Sequence, residues 1–260
     1  MVLAATLFAI VAGQPGHGLT TGPEPTRYRI EQRLESRIDL SAFGAGEQVQ
    51  TQSFVWFATM SYSDSAGGRV VHAILDSVQA DFGAVPVPQS SIDSARGSTF
   101  HGYLNAWGKM TSLTALKTST MGATFESVLR NFHPRRKPGA KQGDGWTDTL
   151  DFEVKSPQGN VNIVTVSNYV LGGQEGWEGG RATRLDAAFS TAQSGTVETP
   201  AGPADMQGKG TGTGVHYLGA DGRYLGGTAT SKGESTISGS FAPSAIPVKQ
   251  TYDIKVTVIK

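Results

Sequence analysis

The residues that could do chemistry are few and scattered. The five histidines are His17, His72, His101, His133 and His216; none sits in H-E-x-x-H, and no two are four residues apart. A helical zinc site is therefore not encoded locally. Cysteine is absent, which removes disulfides, thiolate ligands, a thiol nucleophile and a lipid-bearing N-terminal cysteine. Serine is abundant, but no G-x-S-x-G elbow occurs, and that strained turn is what exposes a serine nucleophile. Asp144, Asp148, Asp151 and Glu153 form an acidic run without the D-x-D-x-D-G spacing of a calcium loop. Trp146, Leu150 and Phe152 alternate with them as in a strand, which puts Asp151 and Glu153 on its solvated face. The chain reads as non-enzymatic, with no metal and no cofactor.

Two sets of residues could bind rather than catalyse. Arg130, Arg135, Arg136, Lys137 and Lys141 occupy residues 130 to 141 without an acid among them. They fit an anion site or a contact with acidic lipid headgroups, where each basic residue contributes about 1 kcal/mol. They equally fit a wet loop neutralised by the acidic run that follows. Base-stacking aromatics are not interleaved, and 22 basic residues balance 22 acidic ones, so nucleic acid is excluded as a partner. The second set is apolar. Gly208, Gly210, Gly212 and Gly214 fall on one face of a strand, and removing a row of side chains lets a sheet curve or another group lie close. With Phe54, Trp56, Phe57 and Tyr62 they are candidates to line a site for a lipid or other apolar ligand. Such aromatics also serve as plain core.

The elements that must position these residues are strands. Charged residues at 27, 29, 31, 33, 35, 37 and 39 alternate with Tyr28, Ile30, Leu34, Ile38 and Leu40, a period of two with one wet face and one buried face. Mixed signs on the wet face suit cross-strand ion pairs. Further strands are predicted over 48–62, 69–82, 99–104, 109–116, 145–155, 161–171, 181–191, 206–218, 223–230, 235–241 and 250–259. Phe125, Val128, Leu129 and Phe132 make one helical stripe that Pro134 ends. The fold class is mainly β: a strongly curved antiparallel sheet or open β-barrel of meandering hairpins with one short helix. Tyr103–Lys109 echoes Tyr217–Arg223, and Gly67-Gly68-Arg69 echoes Gly179-Gly180-Arg181. Duplicated halves, 27–133 and 134–260, would explain both echoes; so would the commonness of Gly-basic hairpin turns.

At the junction, Pro138-Gly139-Ala140-Lys141-Gln142-Gly143-Asp144-Gly145-Trp146-Thr147-Asp148-Thr149 resembles the P-x-x-x-x-G-D-x-W-x-D-T stretch of uncharacterised exported bacterial β-rich proteins, several of them lipoproteins. The resemblance implies an exported address and a β-rich fold, and no activity. The lack of Cys departs from the lipoprotein members. Residues 2–12 are uncharged and apolar, too short a run to span a bilayer but long enough for a signal peptide over 1–13. No Lys or Arg precedes it. A flexible leader over 14–26, with Pro15, Pro23 and Pro25, precedes a single β-rich domain, 27–260. Localisation is expected to be periplasmic or extracellular, with membrane association as an alternative. Function is expected to be structural or interactive, as a periplasmic accessory subunit whose protein partner sits at the outer face of a membrane. The alternative is a carrier for a lipid or other apolar ligand.

Overall fold

The computed structural model describes residues 24–83, 87–156, 159–199, 202–240 and 244–259. The expected signal peptide, and the leader as far as residue 23, lie outside the described residues. Eleven strands form one antiparallel sheet: β1 (Thr26–Asp39), β2 (Glu47–Ser65), β3 (Gly68–Asp81), β4 (Thr99–Asn105), β5 (Met110–Lys117), β6 (Gly145–Ser156), β7 (Gly159–Trp177), β8 (Gly180–Thr199), β9 (Gly202–Leu218), β10 (Tyr224–Ser238) and β11 (Ile246–Ile259). Two helices join them, α1 (Gln89–Ala95) and α2 (Thr120–Arg130). The strand order is β5-β4-β3-β2-β1-β11-β10-β9-β8-β7-β6, so the sheet is unclosed and β5 and β6 are its edges.

This topology is two meanders laid side by side. The five strands before α2 pair in sequence, as do the six after it, and β1 joins β11 antiparallel with Ile30 opposite Val256. The helix predicted at the junction is there. It begins a turn earlier than its apolar stripe, because the Ser119 side chain accepts from the Gly122 N–H at 3.2 Å and caps it. The short helix α1 was not anticipated, since its seven residues, QSSIDSA, are too few for an apolar stripe to show. The predicted break over 231–234 is also corrected. Residues 224–238 form one strand, with Gly233 paired to Gly210 on one side and Gln250 on the other. Two ladders outweigh the turn preference of one glycine.

The alternation in β1 is realised. Tyr28 and Ile30 are wholly buried, while the arginines and glutamates face water. Some ion pairs there run along the strand, Arg29–Glu31 at 3.1 Å and Arg37–Glu35 at 2.9 Å, and others cross strands, Arg37–Glu47 at 3.4 Å and Arg27–Asp76 at 3.2 Å. Asp76 is the extra residue of a bulge that shifts register between Phe57 and Ala58. That bulge keeps both Leu75 and Val78 turned inward.

The core lies on the inner face, the one covered by the helices. Phe125 of α2 packs against Trp56 (ring centroids 5.3 Å apart) and Phe100 (5.9 Å), and Phe132 meets Tyr28 edge-on at 4.9 Å. Trp56, Tyr28, Phe100 and Phe125 are fully enclosed, each adding roughly 1.5–3 kcal/mol by leaving water. No described helix is long and apolar enough to cross a membrane.

Candidate functional site

The inner face has a filled part and an uncovered part, and a hydrogen-bond chain marks the boundary. Trp56 Nε1 donates to Gln32 Oε1 at 2.7 Å, and Gln32 Nε2 donates to the Tyr252 hydroxyl. Burial pushes the Tyr252 phenol up to about 12. Past this chain the helices give no cover, since they lie chiefly against β3, β5 and each other. The next row across the sheet, read by register, is Leu34, Tyr252, Ser231, Gly212, Phe189 and Ser167. The row beyond it runs from Ser36 through Gln250, Gly233 and Gly210 to Thr191. Apart from Tyr252 and Gln250 these positions are small or apolar, and they are half-buried.

Gly208, Gly210, Gly212 and Gly214 all turn toward this face, as the alternation predicts. They are not a bare strip. A Cβ at Gly212 would lie 2.4 Å from Phe189 Cζ, and one at Gly208 would lie 2.7 Å from Gln193 Nε2. The missing side chains make room for residues reaching over from β8. Nor do the four candidate aromatics converge. Trp56 and Tyr62 are core, Phe54 stacks on Trp56 at 5.0 Å, and Phe57 lies on the opposite face beneath the Arg27 guanidinium.

The basic run disperses too. Arg130 pairs with Glu126 of its own helix. The Arg135 side chain is only 5% exposed; its Nε meets Asp148 Oδ2 at 3.2 Å, and its Nη1 donates to the Gly108 and His133 carbonyls. Arg136, Lys137 and Lys141 remain exposed. The P-x-x-x-x-G-D-x-W-x-D-T stretch thus has a structural account. The Asp144 carboxylate accepts from the Lys141 N–H at 2.9 Å and tightens the turn, Trp146 stacks on Tyr169 at 5.8 Å, and Asp148 is the counter-ion of Arg135.

The most concentrated polar chemistry is one that sequence spacing does not reveal. At the end of the sheet where the β2–β3, β4–β5 and β9–β10 turns meet, a cavity of about 220 Å³ is lined by Tyr62, His133, Arg69, Arg136, Asp221 and Arg223, among others. The echoing turns, 105–109 and 219–223, both border it; that repetition was the one hint in the sequence. His133 Nε2 lies 2.9 Å from the Tyr62 hydroxyl, which also reaches Met60 Sδ at 3.5 Å. We assign Nε2 as donor and the phenol as donor to sulfur, the tautomer that satisfies both contacts. Burial, with Arg135 and Arg69 adding to it, holds the His133 imidazole down at about 3. His216, whose Nδ1 is 3.2 Å from the Tyr224 hydroxyl, is held at about 4 by burial, against the pull of Asp186. Both imidazoles are neutral at pH 7. Among the described residues, no group of three or more His, Asp or Glu is placed to hold a metal ion.

A concavity of about 1,030 Å³ forms an open trough on the opposite face. Its walls carry opposed charges that neutralise each other in register, Glu31 facing Lys255 and Arg33 facing Asp253. Spanning barrels carry an apolar band on their outward face, where a basic residue at mid-bilayer costs about 2–4 kcal/mol. The charges on this face do not fit such a band.

No protein-family model matches the chain, and no curated protein matches it in sequence. Among solved structures, Pseudomonas aeruginosa OccK2 (OpdF) in complex with glucuronate is 8% identical, with a TM-score of 0.27, covering 91% of this chain and 99% of that one. A BenF-like porin from Pseudomonas fluorescens Pf-5 is 6% identical, with a TM-score of 0.24, covering 91% and 99%.

Proposed function

We propose that the protein is an exported, non-catalytic binding protein that holds an elongated apolar or amphiphilic ligand on the uncovered part of its inner face. One observation carries this reading. Helix α2 and the aromatic core fill only one end of the inner face, while the row Leu34–Tyr252–Ser231–Gly212–Phe189 lies beyond the strands that the helices chiefly contact. Small residues there leave backbone and apolar atoms for an acyl chain to touch, and the unclosed β5/β6 seam leaves a lateral way in. The ligand site is thus the Tyr252–Phe189 stretch rather than the Trp56–Tyr62 aromatics.

The test is titration with N-phenyl-1-naphthylamine, whose fluorescence rises in apolar surroundings, followed by displacement with palmitate. Wild type should bind and release the probe. Ser231→Phe and Gly233→Val, which fill the floor, should weaken binding at least tenfold while keeping cooperative unfolding. Equal binding by wild type and both variants would refute the assignment.

A second reading, docking against an acidic protein partner, is supported by the joint exposure of Arg136, Lys137 and Lys141. It requires a salt-sensitive complex that Lys137→Glu with Lys141→Glu abolishes while probe binding persists.

A further inference from the structure

We infer that the cavity between the β2–β3, β4–β5 and β9–β10 turns binds a phosphate oxyanion through Arg69, Arg136 and Arg223. Three guanidinium groups border it against one carboxylate, Asp221, so its lining carries two positive charges in excess. Asp221 is also largely committed. Its Oδ1 accepts from the Arg223 N–H at 3.0 Å, its Oδ2 lies 3.7 Å from Arg223 Nε, and its carbonyl accepts from Arg69 Nη2 at 3.3 Å. Asp64, the other acid near Arg69, is 88% exposed and screened by water.

The donors converge although they come from distant parts of the chain. Arg69 opens β3, Arg223 leads into β10, and Arg136 follows α2. The Arg136 guanidinium rests on the β9–β10 turn, where its Nη1 would lie 2.8 Å from a Cβ at Gly222. A side chain at 222 would displace it, and the φ of +77° there already requires glycine. Arg223 Nη1 reaches Thr26 Oγ1 at 3.4 Å, while its Nε is buried without a hydrogen-bond partner. An arginine presents five donors in a planar fork that matches phosphate geometry. The donors here exceed what the protein's own acceptors use. Tyr62 and His133, both neutral, form the floor and add no competing negative charge. Two excess positive charges match a dianionic phosphate better than a monocarboxylate, and the cavity exceeds a bare phosphate, leaving room for a small ester.

This inference is independent of the inner-face ligand, since the cavity lies at the opposite end of the core. The intact protein is titrated calorimetrically with inorganic phosphate and with glycerol 3-phosphate, and co-sedimented with phosphatidylcholine vesicles with and without phosphatidic acid. Arg136 is exposed, so Arg136→Gln should leave unfolding unchanged and weaken binding at least tenfold; Arg136→Glu should abolish it. Lys137→Gln with Lys141→Gln, outside the cavity, should bind as wild type. Binding of the soluble phosphates alone identifies a free ester as the source. Phosphatidic-acid-dependent sedimentation lost in Arg136→Gln identifies a headgroup. Absence of binding to every probe, equal affinity in wild type and Arg136→Gln, or an equal loss in the lysine double variant overturns the inference.

Discussion

Acid should unfold this protein earlier than its carboxylates require, because two imidazoles are buried neutral. His133 is held at about 3 and His216 at about 4 in the folded chain, against about 6.5 when unfolded. Below pH 6.5 the unfolded chain therefore takes up protons that the folded chain refuses, and stability falls with pH. The stabilisation is complete above about 6.5 and is lost as pH drops toward 4 for His216 and 3 for His133. At pH 5 the deficit is about 2 kcal/mol for each imidazole, a large share of the 5–15 kcal/mol typical of a domain. Urea unfolding followed by tryptophan fluorescence at pH 7.5, 6 and 5 measures the loss. His133→Gln removes the group that must charge, so this variant should lose about 2 kcal/mol less than wild type between pH 7.5 and 5, whatever its stability at neutral pH. Parallel pH profiles for wild type and His133→Gln would refute the reasoning, because they would mean that His133 titrates normally.

Two further perturbations probe the core and the sheet. Phe125→Ala removes the ring that α2 places between Trp56 and Phe100; a loss of about 3–5 kcal/mol in urea unfolding is expected, and a loss below 1 kcal/mol would mean the helix is not part of the cooperative unit. Gly226 sits at the register shift of β10 with φ +131°, and a Cβ there would lie 2.3 Å from the Val256 carbonyl. Replacing a mid-strand glycine by alanine ordinarily gains roughly 0.5–1 kcal/mol; Gly226→Ala should instead destabilise the protein and should expose the β10–β11 amides to hydrogen exchange, and unchanged exchange there would show that the close approach relaxes easily.

What was legible in the sequence was whatever depends on a period of two. The alternation at 27–39 located β1, its wet face and its buried face, because burial acts on each residue separately. Strand ends were harder. Gly172-Gly173 looked like the end of a strand, yet it forms a bulge between Leu171 and Gln174, and β7 continues to Trp177. There Glu178 and Gly179, both at positive φ, turn the chain directly into β8. The site was the least legible part. Arg69, Arg136 and Arg223 have no mutual spacing that a motif could capture, because each is placed by a different turn. The basic run at 130–141 was visible, but its members diverge once folded. Arg135 goes inward to Asp148, Arg130 stays on its helix, and Arg136 alone joins the arginine cluster. Charge density along a chain does not report which way each side chain points.

The unclosed seam sets where the structure should open first. Strand edges expose unpaired N–H and C=O groups that invite other chains, and both edges here belong to the two strands flanking α2. They are bridged by side chains. Lys109 Nζ donates to the Thr149 carbonyl at 3.2 Å, and Arg135 joins the Gly108 carbonyl to the Asp148 carboxylate. The bridge thus rests on Lys109 and on one nearly buried guanidinium with its counter-ion. Asp148→Asn leaves that guanidinium without its counter-charge, an arrangement that costs about 3 kcal/mol or more. Only β6 has lost a bond, whereas β1 and β11 keep ladders on both sides. Amide exchange in Asp148→Asn should therefore accelerate first over 145–153, with β1 and β11 protected up to global unfolding. Uniform acceleration across the sheet would mean that the seam and the central strands unfold as one unit, and that lateral entry to the inner face requires unfolding the whole domain.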